Sequence, residues 1–134
     1  MTDPLENHAS GMSAKIDNQD WKASDYTANV YGNGILISGL SENGESIKLI
    51  LPNRKVGTYT LTNSENTFAI YKKRVDDIYD YVSTDHPDAG GDITVLYNNT
   101  LDSLISGTFN FTAYQRQKNK WARISNGVFK DIPY

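Results

Sequence analysis

Apolar and polar residues alternate along this chain with a period of two, and the alternation recurs from one end to the other. Period two puts successive side chains on opposite faces of a strand. Ala14 and Ile16, then Trp21 and Ala23, flank Asp17-Asn18-Gln19-Asp20. Asn and Asp tolerate left-handed backbone angles, so this stretch predicts a tight hairpin. Residues 26–31 predict a second strand with Tyr26, Ala28 and Val30 on one face, closed by Gly32-Asn33-Gly34. Residues 35–40 follow, then a turn at Ser41-Glu42-Asn43-Gly44. Residues 45–51 alternate cleanly with Ile47, Leu49 and Leu51 facing one way, and Pro52 ends the strand because it cannot donate into a ladder. Residues 57–61 and 67–72 predict two more strands around a turn at 63–66. Residues 91–97 form a strand with its turn at Asn98-Asn99, residues 104–114 a long one, and residues 121–132 a last one interrupted at Asn126-Gly127.

Short strands about 8–12 residues apart with turn residues between them indicate a sandwich or barrel rather than a parallel sheet with helices. The expected fold is therefore all-β: a single antiparallel β-sandwich or flattened barrel of about eight to ten strands, with little or no helix. One segment is ambiguous. Val75, Ile78, Tyr79 and Val82 fall at helical spacing, while Tyr79, Tyr81 and Ser83 alternate. Its β-branched and aromatic content favours a strand over 78–83, with a helical turn near 75–79 as the alternative. Residues 84–91 then form a loop.

The 134 residues suit one domain, expected over 13–134, with residues 1–12 as a disordered leader or appended remnant. That polar leader has no apolar segment of the signal-peptide kind, and no run approaches the ~20 apolar residues of a membrane helix. Thirteen basic against sixteen acidic residues leave a net charge of −3 without a basic stripe, so no nucleic-acid partner is expected. The short clusters Arg54-Lys55, Lys72-Lys73-Arg74 and Lys118-Asn119-Lys120 read as solvated strand ends and loops. Without cysteine there is no disulfide framework and no thiolate ligand or nucleophile.

Several short motifs follow one another in a set order: Ala14-x-Ile16, Trp21-x-Ala23, Ile37-Ser38-Gly39, Ile47-x-Leu49-x-Leu51, Gly57-Thr58-Tyr59-x-Leu61, Gly90-Gly91-x-Ile93-Thr94, Ser106-Gly107-Thr108-Phe109-x-Phe111-x-Ala113 and Ile124-x-Asn126-Gly127-x-Phe129. In order and spacing, over residues 13–134, they resemble a family of uncharacterised Bacteroidetes lipoproteins, a domain of unknown function. The resemblance implies a small β domain, exported to the periplasm or outer membrane and cell surface. Any membrane association would run only through a lipid-modified N-terminal cysteine that this chain lacks. Asn18 stands where the family's first hairpin often has glycine. The family offers no catalytic residue to carry over.

Candidate chemistry is sparse. His8 lies in the leader and His86 in Asp85-His86-Pro87-Asp88, with no second histidine near it for a zinc site and no serine in a nucleophile elbow. His86 therefore reads first as an exposed loop side chain. Asp76, Asp77, Asp80, Asp85, Asp88 and Asp92 cluster, but their spacing is not that of an EF-hand, and a soluble acidic loop is the preferred reading over a calcium site. No metal or cofactor is expected. Trp21, Tyr59, Phe109, Phe111 and Phe129 fall at positions expected to be buried; Tyr79, Tyr81, Tyr97, Tyr114 and Trp121 could serve either packing or contact. Asn98-Asn99-Thr100 and Asn110-Phe111-Thr112 match a glycosylation acceptor and read as chance in a bacterial protein.

The leading expectation is a non-enzymatic exported binding module for a glycan, peptide or protein. Tyr79 and Tyr81 would stack on that ligand, and Asp85 and His86 would supply polar contacts. A lipocalin-like carrier and an Asp/Glu-dependent hydrolase are the alternatives.

Overall fold

Ile47, Leu49 and Leu51 are fully buried while Lys48 between them is exposed, so the alternation read in the sequence is the alternation of a half-buried strand. It recurs in eleven strands: β1 (Gly11–Ile16), β2 (Gln19–Lys22), β3 (Asp25–Tyr31), β4 (Gly34–Leu40), β5 (Ser46–Leu51), β6 (Gly57–Thr60), β7 (Phe68–Lys72), β8 (Tyr81–Val82), β9 (Gly90–Asn99), β10 (Leu104–Gln115) and β11 (Lys120–Pro133). This computed structural model describes Leu5 and residues 8–62 and 66–134, and no described residue is helical. The all-β expectation holds, as one curled antiparallel sheet forming a half-barrel. The turn expected over 63–66 lies outside the described residues except Asn66, whose φ is 54°.

Nine strands follow one hydrogen-bonded path, β2-β1-β11-β10-β8-β7-β5-β4-β3, and β9 and β6 branch from β10. The fork lies on β10. Its residues from Leu104 to Thr112 pair with β9, and Tyr114 pairs with Val82 of β8. The two ends of the path are consecutive in the chain. Ala23 N donates to Met12 O at 3.0 Å and Ser24 N to Leu40 O at 2.9 Å, so two residues form a corner that binds first β1 and then β4. That corner pins the curl.

The first hairpin turns on Asp17 and Asn18 with φ of 49° and 69°, the left-handed pair that a two-residue turn of the I′ type requires. Asn126, with φ of 51°, makes a bulge and not a break, and β11 continues through it. Beside that bulge, Phe109 lies opposite Gly127, and across the same pair of strands Gly107 lies opposite Phe129. The two rings stack with centroids 6.3 Å apart. A Cβ on Gly107 would stand 2.0 Å from Thr94 O and 2.5 Å from the Phe129 ring. Each phenylalanine thus occupies the space a side chain opposite would need. The rings join one continuous core that includes Ile35, Ile93, Ile105 and Ile132.

Glu45 ties a second region together. Its backbone carbonyl accepts from Trp21 Nε1 at 3.0 Å and its carboxylate from the Tyr71 hydroxyl at 2.7 Å. Burial pushes the Tyr71 hydroxyl well above the ordinary tyrosine range, and the Glu45 hydrogen bond and charge add to this. Burial raises Tyr81 too, with Asp17 and Asp77 reinforcing it. The folded protein holds these protons after the unfolded chain has released them near 10.0. Stability is therefore expected to stay level up to about pH 10 and to fall above it. Urea melts from pH 8 to 11 check this: Tyr71→Phe should flatten the alkaline limb, and a limb as steep as in the parent would refute the assignment.

Three expectations need correction. Residues 78–83 are not one strand and 75–79 not a helical turn: only Tyr81–Val82 pair, and a turn closes with Asp77 N donating to Arg74 O at 3.1 Å. Val75 and Ile78 are exposed (66% and 82%), so the helical spacing marks no buried face. Asn98 and Asn99 belong to β9, opposite Ile105 and Leu104, and the turn lies beyond them. Asn99 Oδ1 accepts from Leu101 N and Asp102 N, so it closes that turn as a side chain. Finally, Gly11 and Met12 of β1 fall within the stretch read as a leader, where Leu5 is also buried and its carbonyl accepts from Lys130 Nζ at 2.9 Å.

Candidate functional site

Tyr79, Tyr81, Asp85 and His86 do not form one surface. Tyr81 turns inward, 7% exposed, with its ring 5.4 Å from that of Tyr71, so it offers no open face for stacking. Tyr79 stays at the surface, where its carbonyl accepts from Gln115 Nε2 at 3.3 Å. Asp85 and His86 lie in the loop after β8, which docks back on the outer face of β10 and β11.

That docking builds a site the sequence did not disclose. Tyr114 and Trp121 are direct cross-strand partners at the end of the β10–β11 hairpin, with ring centroids 4.8 Å apart. His86 completes the group, 4.8 Å from Tyr114 and 4.7 Å from Trp121. Its Nδ1 accepts the Asp88 backbone N–H at 3.0 Å, which orients the ring. Asp85 Oδ1 accepts from Arg116 at 3.4 Å, and Tyr114 donates to Asn119 Oδ1 at 2.5 Å. Trp121 remains 41% exposed, so the group is not spare core. Partly open aromatic rings rimmed by a carboxylate, a guanidinium and an amide are suited to contact: large rigid area with polar groups at its edge. The one sequence signal for it was Tyr114 and Trp121 flanking the same hairpin, which does not reveal the face they share.

A second cleft lies at the other end of β10, about 710 Å³, lined by Asn53, Arg54, Asn98, Ser103 and Tyr134 among others. Its polar groups answer one another. Arg54 donates to Gly32 O and Gly34 O and lies 5.9 Å from the Tyr134 ring centre. Asn98 donates to Arg54 O and accepts from the Tyr134 hydroxyl, and Tyr134 N donates to Ser103 O. These bonds latch the C-terminal residue to the sheet. Among the described residues no group of three His, Cys, Asp or Glu could hold a metal ion, and that includes the acidic stretch from Asp76 to Asp92.

Residues 8–133 match a domain of unknown function, DUF6252. The chain belongs to that family. The DUF6252 match covers the whole sheet, from β1 through Pro133 of β11. No curated protein and no solved structure matches the chain.

Proposed function

We propose that this DUF6252 domain is a non-enzymatic binding module, exported to the cell envelope, and that it holds a glycan against the His86–Tyr114–Trp121 face. The observation that carries the reading is the three-ring group itself. Its rings pack on one another outside the core, and Trp121 keeps an open surface. A sugar ring presents C–H groups to an aromatic face and hydroxyls to its rim, where Asp85, Arg116 and Asn119 stand. The envelope location rests on the lipoprotein resemblance alone. An internal carrier cavity gains no support, because the side chains within the curl form one packed cluster.

The two tryptophans make the test direct. Trp21 is 3% exposed with its N–H bonded, whereas Trp121 is open, so ligand-dependent fluorescence change should come from Trp121. A glycan array followed by titration should give a binder whose affinity drops about tenfold or more, about 1.4 kcal/mol, in Trp121→Ala. The melting temperature should move little, since the residue is a surface one. An array without hits, or a hit that Trp121→Ala binds as tightly as the parent, would overturn the reading.

A further inference from the structure

Two basic clusters that read separately in the sequence meet in space. Lys73 and Arg74, just after β7, and Lys118 and Lys120, at the tip of the β10–β11 hairpin, line one open depression of about 360 Å³ with Tyr79 and Asp77. Among the described residues none of these four cations makes an ion pair. Three other basic side chains do: Lys15 with Asp20, Lys72 with Asp80 and Arg116 with Asp85. Taking the four cations and Asp77 out of the chain's 13 basic and 16 acidic residues leaves nine against fifteen. The depression is therefore a local reversal of charge on an acidic protein. Cations gathered without partners repel one another, and a concave site of one sign focuses its field on an incoming opposite charge.

The walls are held in place. The Lys72–Asp80 pair at 3.4 Å and the Gln115 bond to Tyr79 O fix the segment between β7 and β8 against the hairpin. The volume lies within the ~300–1,000 Å³ usual for small-ligand sites. The hairpin also carries Trp121, one residue beyond Lys120, so depression and aromatic face share an element.

We infer that this depression binds the anionic substituents, sulfate or carboxylate, of an acidic polysaccharide. The polysaccharide class rests on the glycan reading above; the anion site rests on the convergence of the four cations. A nucleic acid is the less favoured polyanion, because the four cations gather in one compact depression and not along a stripe that a phosphate backbone would follow.

The full chain is titrated with dextran sulfate, polygalacturonate, neutral dextran and single-stranded DNA. Both acidic polysaccharides should bind, more weakly as salt rises, and neutral dextran should not bind in this depression. The double variant Lys118→Glu/Lys120→Glu should lose tenfold or more in affinity for both. Lys118→Ala/Lys120→Ala should lose less, and Lys22→Glu, elsewhere on the surface, nothing. All these side chains are exposed, and circular dichroism melts are to be recorded to check that each variant folds. Failure of both acidic polysaccharides to bind, equal affinity in the double charge-reversal variant, or tighter binding of DNA would overturn the inference. Trp121→Ala separates the two ideas. If it leaves polyanion binding intact while the lysine variants lose it, the aromatic face falls and the anion site stands.

Discussion

Replacing Phe129 with alanine is expected to destabilise the domain by about 3–5 kcal/mol. The ring is fully buried, stacks on Phe109 and covers Gly107. Its removal leaves a cavity whose floor is a glycine, so no neighbouring side chain on that side can swing in to fill it. Domains of this size are stable by about 5–15 kcal/mol, so the loss is a large share of the total. A urea midpoint lowered by more than about 1 M at an unchanged slope would show it. Val30→Ala, at a site 46% exposed on β3, should stay within about 0.5 kcal/mol. A loss below 1 kcal/mol at Phe129 would mean that the ring is not a keystone of the core.

The second large effect comes from the opposite change. Gly107→Ala adds one methyl group, and that methyl would lie 2.0 Å from Thr94 O. Backbone, and not a flexible side-chain end, is in the way, so β9 must shift away from β10. The register already steps between Ser106 and Gly107 on the β9 side, and between Ile105 and Gly107 on the β11 side. Two irregularities meeting at one glycine leave little slack. The expected cost is about 3 kcal/mol, with β6 and β9 losing amide protection before the rest of the sheet, as hydrogen exchange would reveal. Ordinary stability with uniform protection would contradict it. The double variant Gly107→Ala/Phe129→Ala should not recover stability, because the backbone clash with Thr94 remains.

How legible this was in the sequence follows from the same residues. Ile47, Leu49 and Leu51 alternate regularly with Lys48 and Ile50, so the face they bury could be read without the structure. Trp21, Phe109, Phe111 and Phe129 lie in the core for the same reason, whereas Tyr59, expected there too, is only partly buried against it. Parity alone failed at residues 75–82. A strand of two residues has no alternation to detect, and there the inward turn of Tyr81 is set by its neighbours Tyr71 and Val82, not by a pattern. The site was less legible than the fold. His86 reaches Trp121 because its loop folds back on a distant hairpin, and local sequence carries no trace of that contact. The depression between Lys73 and Lys120 was hidden similarly: two clusters that read as solvated ends become one feature only when β7 and β11 are brought into the same sheet.

The register of β1 on β11 has a mechanical consequence. Gly11 lies opposite Lys130, at one end of the ladder, while Trp121 sits about nine residues back along β11, roughly 30 Å away. A load applied between Gly11 and a ligand seated at Trp121 runs parallel to the strands. It strains the β1–β11 hydrogen bonds together instead of peeling them one at a time. Pulled along that axis, the domain should behave as a shear clamp, yielding at far higher force than when it is drawn apart through Gly11 and Tyr134, which lie at the same end and would unzip the ladder.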